Sequence, residues 1–241
     1  MWKHINLEKC LSHITGHTAA VVENLSSVRP SITISRMCGA GGRTVASQLA
    51  EYLQSRHPAG RAWTIFDKKL IEMVLEEHHL SKRIAEFLPE GHKSLVAEMI
   101  EKMRGLHPPT STLVEQTAET IWQLAAGGHV ILVGRAANLI TERLDNVFHV
   151  RLVGSLEKRI RQVEQVYEMG RNDARKFVQA QDADKRRYMQ EYFGRDIDDA
   201  LHYHLIINTD EISYEHTAQL IGDAVIRHFK LTVERGCPRA G

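Results

Sequence analysis

One junction limits most strongly what this chain can fold into. A short run of small and β-branched residues, Ser31-Ile32-Thr33-Ile34-Ser35, leads into the glycine turn Gly39-Ala40-Gly41-Gly42. From Thr44 onward Val45, Leu49 and Leu53 recur at helical spacing until His57-Pro58 and Gly60 stop the run. Strand, glycine turn and helix in that order aim free backbone N–H groups and the positive end of a helix at an anion. In an open parallel sheet such a turn lies outside the carboxyl ends of the strands, the edge on which ligands bind.

The pattern repeats along the chain. Residues 62–66, ending at Asp67, read as a second strand, with a helix over 68–79 and short helices over 81–109 around Pro89-Glu90-Gly91. A helix over 112–126 stops at Gly127-Gly128, and Val130-Ile131-Leu132-Val133 follows, apolar throughout as a strand covered on both faces requires. Residues 147–153 give a fourth strand, Leu156, Ile160, Val163 and Tyr167 mark a helix, 205–209 a fifth strand and 217–229 the last helix. Strands alternating with helices imply a parallel sheet joined by right-handed crossovers. The 241 residues, 43% of them hydrophobic, suffice for one such α/β domain over 31–230, with residues 1–30 as an N-terminal extension and 231–241 as a tail. Thirty-one basic against thirty acidic residues leave a formal charge of +1, so no global field favours a long nucleic acid. The three cysteines, Cys10, Cys38 and Cys237, suit neither a disulfide framework nor a Cys-x-x-Cys metal site. Apolar runs are shorter than the roughly 20 residues a membrane helix needs. The expectation is a cytoplasmic protein without a membrane partner.

The glycine turn departs from the usual phosphate-binding loop, G-x-x-x-x-G-K-S/T. Laying Gly42-Arg43-Thr44 on its last three positions puts arginine in place of lysine and Met37 in place of the first glycine. Laying residues 39–44 on the G-x-G-K-G-T form of nucleoside monophosphate kinases puts Gly42 at the lysine position. The lysine is missing in both registers, and arginine, planar and forked, is no simple substitute for a compact ammonium.

Several segments in register resemble the cytidylate kinase-like family: Ile32-Thr33-Ile34-Ser35-Arg36 with Gly39-Ala40-Gly41-Gly42-Arg43, then Phe66-Asp67-Lys68-Lys69-Leu70-Ile71, Val133-Gly134-Arg135-Ala136-Ala137-Asn138, Asp184-Lys185-Arg186 and Leu205-Ile206-Ile207-Asn208-Thr209. That family also lacks the lysine. The resemblance implies a P-loop kinase-like, three-layer α/β fold with a five-stranded parallel sheet and a helical lid over about 171–199. It implies ATP as co-substrate, Mg2+ as cofactor, and a nucleoside monophosphate, CMP or dCMP, as acceptor. Carried over by position, Gly39, Ala40, Gly41, Gly42, Arg43 and Thr44 form the phosphate loop, with Arg43 supplying catalytic charge and the Thr44 hydroxyl near magnesium. Asp67 faces the acceptor, Arg135 clamps its phosphate, and Asp184 and Arg187 are the lid acid and lid arginine. The family's other lid arginine falls at Ala180, with Arg175 or Arg186 as replacements.

Other readings stay open. The same residues suit a nucleotide-binding module without turnover, or a kinase of another small metabolite, since fold does not fix the acceptor. Without the resemblance the charged helix over 171–195 reads as a solvated face rather than a lid, and Asp67 equally well as a helix N-cap. Arg36 and Arg159 are candidates for pairing with carboxylates. His202-x-His204 would share one side of a strand, but no third ligand stands at a metal-site spacing. Cys38 lies in the glycine turn, where a helix N-terminus would lower its pKa.

Overall fold

The computed structural model describes residues 29–56, 62–67 and 112–231. The helices expected over 68–79 and 81–109, most of the extension 1–30 and nearly all of the tail 231–241 fall outside them. The described elements are β1 (Ser31–Arg36), α1 (Gly42–Arg56), β2 (Thr64–Asp67), α2 (Thr112–Gly127), β3 (Val130–Val133), α3 (Ala137–Ile140), β4 (Val147–Val153), α4 (Leu156–Tyr167), α5 (Arg171–Phe193), a 3-10 turn (Ala200–His202), β5 (Leu205–Asn208) and α6 (Tyr214–His228). The strands form one five-stranded sheet in the order β2-β3-β1-β4-β5, parallel at every pairing. The α/β fold with a five-stranded parallel sheet is therefore the one the alternation implied.

The pleat of β1 sorts its residues onto two faces. Ile32 and Ile34 join Ile131, Val133, Val150 and Leu152 against Val45, Leu49 and Leu53 of α1 and Ile221 and Val225 of α6. These helices approach closely: a side chain at Gly222 would overlap the ring of Tyr52, whose hydroxyl donates to Asp223 at 2.7 Å. On the opposite face the buried hydroxyls of β1 each find a partner, as desolvated polar groups must. Ser31 donates to the carbonyl of Ala125 at 2.8 Å, Thr33 meets His149 Nδ1 at 2.8 Å, and Ser35 accepts from Arg151 at 3.0 Å.

A second core joins α4 to α5 through Ile160, Val163, Ala174 and Val178. Ser155 caps α4 by accepting the N–H of Lys158 at 3.4 Å, and Gly194, at φ 61°, ends α5 in the left-handed conformation that glycine tolerates. The buried face of α5 runs Ala174, Val178, Asp182 and then Met189. Asp182 thus occupies a position that helical spacing alone would assign to an apolar side chain.

Candidate active site

The glycine turn sits where the sheet topology requires, at the carboxyl end of β1 between β3 and β4. Gly39 (φ 82°) and Gly41 (φ 78°) adopt left-handed backbone, the conformation that suits glycine best. Space restricts both as well: a Cβ on Gly39 would overlap the carbonyl of Arg159, and one on Gly41 the ring of Tyr214. Helix α1 starts at Gly42, so the first N–H groups of Gly42, Arg43 and Thr44 have no intrahelical acceptor, as at the start of any helix.

The loop is tied down from α4 and α5. Asp182 accepts the Cys38 N–H at 2.7 Å with one oxygen and the Arg159 guanidinium at 2.6 Å with the other. Arg159 also donates to the Cys38 carbonyl and to the Gly154 carbonyl, each at 2.9 Å. Of the two pairings considered for Arg36 and Arg159, this one forms. Lys185 Nζ reaches the same Asp182 at 3.1 Å. Burial pushes the Lys185 ammonium down and nearby Arg36 adds to the effect, against the opposing pull of Asp182 and Cys38. The Cys38 thiol is raised, not lowered: burial outweighs the cations Lys185, Arg159 and Arg36 around it. That corrects the expectation drawn from its place before a helix.

The end of β3 is unusual backbone. Gly134, Arg135 and Ala136 are consecutively left-handed, at φ 86°, 57° and 53°. Non-glycine residues so held cost about a kilocalorie each or more and concentrate at ligand sites. The turn lifts Arg135 out of the sheet and starts α3. Arg135 lines a cavity of about 380 Å³ together with Arg36, Asp184, Lys185, Arg187 and Tyr188. Asn138, 3% exposed, borders the same cavity, and its amide nitrogen has no hydrogen-bond partner among the described residues. Burial first of all pushes the Tyr188 phenol up to about 12, although Arg135 opposes the rise, so the phenol stays protonated and able to donate.

Of the residues singled out in the sequence, the structure brings Arg135, Asp184 and Arg187 to this one cavity. Asp184 and Arg187 pair at 2.8 Å on adjacent turns of α5, 56% and 66% exposed, and such a pair costs little to open. Arg43 is not among the residues lining the cavity and pairs at 2.7 Å with Asp67, itself only 13% exposed. This brings the end of β2 to the first turn of α1. Arg175 pairs with Glu157 at 2.7 Å and Arg186 with Asp198 at 3.2 Å, and neither lines the cavity. Lys185 does, although no separate role for it was legible in the sequence. His202 and His204 do not share a strand: His202 closes the 3-10 turn, and His204 precedes β5 and stacks on Phe148, ring centroids 4.8 Å apart.

A parallel sheet in this order, with a glycine loop after β1, is an α/β fold of the P-loop kinase class. The chain belongs to the cytidylate kinase-like family, whose profile matches residues 31–211. It is 25% identical over 166 residues to a cytidylate kinase of Staphylothermus marinus, covering 62% of this chain and 90% of that one. To a cytidylate kinase of Methanocaldococcus jannaschii it is 24% identical over 197 residues, covering 80% and 96%. An uncharacterized protein from Eubacterium ventriosum shares the fold, with a TM-score of 0.62 at 17% identity over 83% of this chain and 99% of that one. Family and fold together support a nucleotide-binding phosphotransferase. No helix among the described residues is long and apolar enough to cross a membrane.

Kinases of this class generally use ATP with Mg2+. The oxygen donors at the start of α1 are the Thr44 hydroxyl and, beside Arg43, the Asp67 carboxylate. Hard oxygens, few in number, suit Mg2+, which takes its remaining ligands from water and phosphate. The residues fit the ion.

Proposed function

We propose that the protein transfers the terminal phosphoryl group of ATP to a nucleoside monophosphate, CMP or dCMP. One observation carries the reading: the cavity at the carboxyl end of β1 gathers Arg36, Arg135, Lys185 and Arg187 from three separate elements, with Arg187 paired, among the described residues, only to the exposed carboxylates of Asp184 and, at 3.9 Å, Glu191 on the cavity's border. Phosphoryl transfer asks a protein for alignment, neutralisation of charge and exclusion of water more than for covalent chemistry. In this reading residues 39–44 cradle the donor phosphates. Arg135, held out by its left-handed turn, forks onto the acceptor phosphate, and Asp67 faces the acceptor. Arg187 swings from Asp184 onto the transferring group. Thr44 would hold Mg2+, which supplies charge neutralisation to the donor phosphates when bound. The domain doing this is 31–230, with 171–199 as its lid, in the cytoplasm.

The residues reading the acceptor base fall in 81–110, outside the described structure. The test is ADP formation from Mg-ATP with CMP, dCMP, UMP, AMP, GMP or no acceptor. Turnover that requires CMP or dCMP is the expected result; turnover without preference, or none, refutes the assignment. A second reading rests on the missing lysine: a nucleotide-binding module without catalysis would be stabilised by ATP and release no ADP.

A further inference from the structure

Gly42 is the first residue of α1, and its glycine identity calls for a reason. Unlike Gly39 and Gly41, it is not left-handed, so its backbone does not demand glycine. In a helix glycine costs up to about 1 kcal/mol relative to alanine. The reason is occupied space: a Cβ on Gly42 would stand 2.8 Å from Cγ of Arg36 and 3.3 Å from its Cδ. The aliphatic stem of Arg36 lies across the start of α1, where the side chain of a loop lysine would begin. The other end of the same side chain lies over Gly134, where a Cβ would overlap the guanidinium. Arg36 therefore reaches from the phosphate loop to the residue just before Arg135.

In the register that puts Gly42 at the lysine position, residue 36 is the first glycine of G-x-x-x-x-G-K. Cation and glycine have exchanged places within one loop. We propose that Arg36 is the catalytic cation of this site, standing in for the loop lysine between donor and acceptor phosphates; this rests on the kinase reading above. The charges facing Arg36 agree with that role. Arg43 and Arg135 crowd it, against Cys38 and Asp67, and burial leads the causes that push its guanidinium down. Since arginine stays protonated in proteins, this crowding favours an incoming anion over any loss of the proton. During transfer an acceptor phosphate oxygen bonds to the terminal phosphorus while the bridging P–O bond breaks, its electron pair leaving on ADP. Arg36 moves no proton; its N–H groups hold the equatorial oxygens throughout.

The test exchanges the two residues. Arg36→Met, Arg36→Gly, Gly42→Lys and the double variant R36G/G42K are compared with wild type for Mg-ATP affinity by calorimetry, for turnover with the preferred acceptor, and for melting temperature. Arg36→Met should stay folded and lose about 100-fold in turnover, the scale of one lost oxyanion donor. Gly42→Lys alone should destabilise, because its side chain meets the Arg36 stem, whereas R36G/G42K should relieve that overlap and recover at least about tenfold in turnover over Arg36→Gly. Arg36→Met within twofold of wild type in both ATP affinity and turnover overturns the proposal. So does a folded R36G/G42K no more active, and no tighter for ATP, than Arg36→Gly. A wild type that binds ATP but transfers nothing overturns the kinase reading instead, and Arg36 is then judged on ATP affinity alone.

Discussion

Replacing Asp182 by alanine should cost more than any other single change on α5. The carboxylate is 10% exposed, as is the Arg159 side chain it pairs with at 2.6 Å, and it also accepts the Cys38 N–H and the Lys185 ammonium. Removing one partner of a buried pair typically costs about 3–5 kcal/mol, because the other charge stays buried and unmatched. Arg159 keeps the carbonyls of Cys38 and Gly154 as acceptors, which places the loss near the lower end, about 3 kcal/mol. In a domain of this size each kilocalorie moves the midpoint by about 2–4 °C, so Asp182→Ala should melt about 6–12 °C below wild type. Scanning calorimetry measures the shift, and Arg159→Met with the double variant gives the coupling, expected at about 1–3 kcal/mol. Because the Cys38 N–H loses its acceptor, the Kd for ATP should rise alongside. A midpoint within about 2 °C of wild type, or additive single variants, would refute the claim that this pair holds the glycine loop.

Arg135→Ala should lower kcat/KM for the acceptor at saturating ATP by more than about tenfold, the loss of one charge-assisted fork on phosphate; steady-state kinetics that leave this ratio unchanged remove Arg135 from the site. Gly41→Ala meets both a left-handed φ of 78° and the Tyr214 ring, so it should destabilise by about 1–2 kcal/mol from backbone alone, and pairing it with Tyr214→Ala should relieve only the overlap, as urea unfolding will report. His149 is pushed down to about 4, by burial first and His204 second, from its ordinary 6.5. The unfolded chain therefore takes up a proton between pH 6.5 and 4 that the folded protein refuses. Stability is full above that window and falls by up to about 3 kcal/mol as pH drops through it. His149→Gln should flatten this acid limb, and an unchanged pH dependence of unfolding would show that His149 is not its source.

The strand, loop and first helix were legible because their signals are contiguous: alternating apolar residues, a glycine turn and a helical repeat within residues 31–56. α3 was not, since four residues are too few to show a period. The convergence of Arg135, Asp184 and Arg187 was legible only through resemblance, because β3 and α5 are far apart in sequence. The inward placement of Lys185 and Asp182 was not legible, for a different reason. In a helix rich in both charges, nothing local marks which residues turn inward, although Asp182 four positions after Val178 was a usable hint. Arg36 was visible as part of a family motif and as a possible ion-pair partner but not as a loop cation, since the space it fills is defined by glycines 6 and 98 positions away.

The hydroxyl face of β1 has a bearing on how accurately the site is assembled. Thr33 and Ser35 stand directly opposite His149 and Arg151 in the parallel ladder, and each pair is also joined through its side chains. A slip of one residue between β1 and β4 would drive Ile32 and Ile34 into the polar layer and strand an arginine and an imidazole without acceptors. A slip of two would keep the faces but mismatch every pair. These strands therefore behave like a keyed shaft with a single seating. Because the glycine turn follows closely on the end of β1, that seating sets the height of the loop against Gly154 and Gly134, and with it the distance across which a phosphoryl group would have to travel.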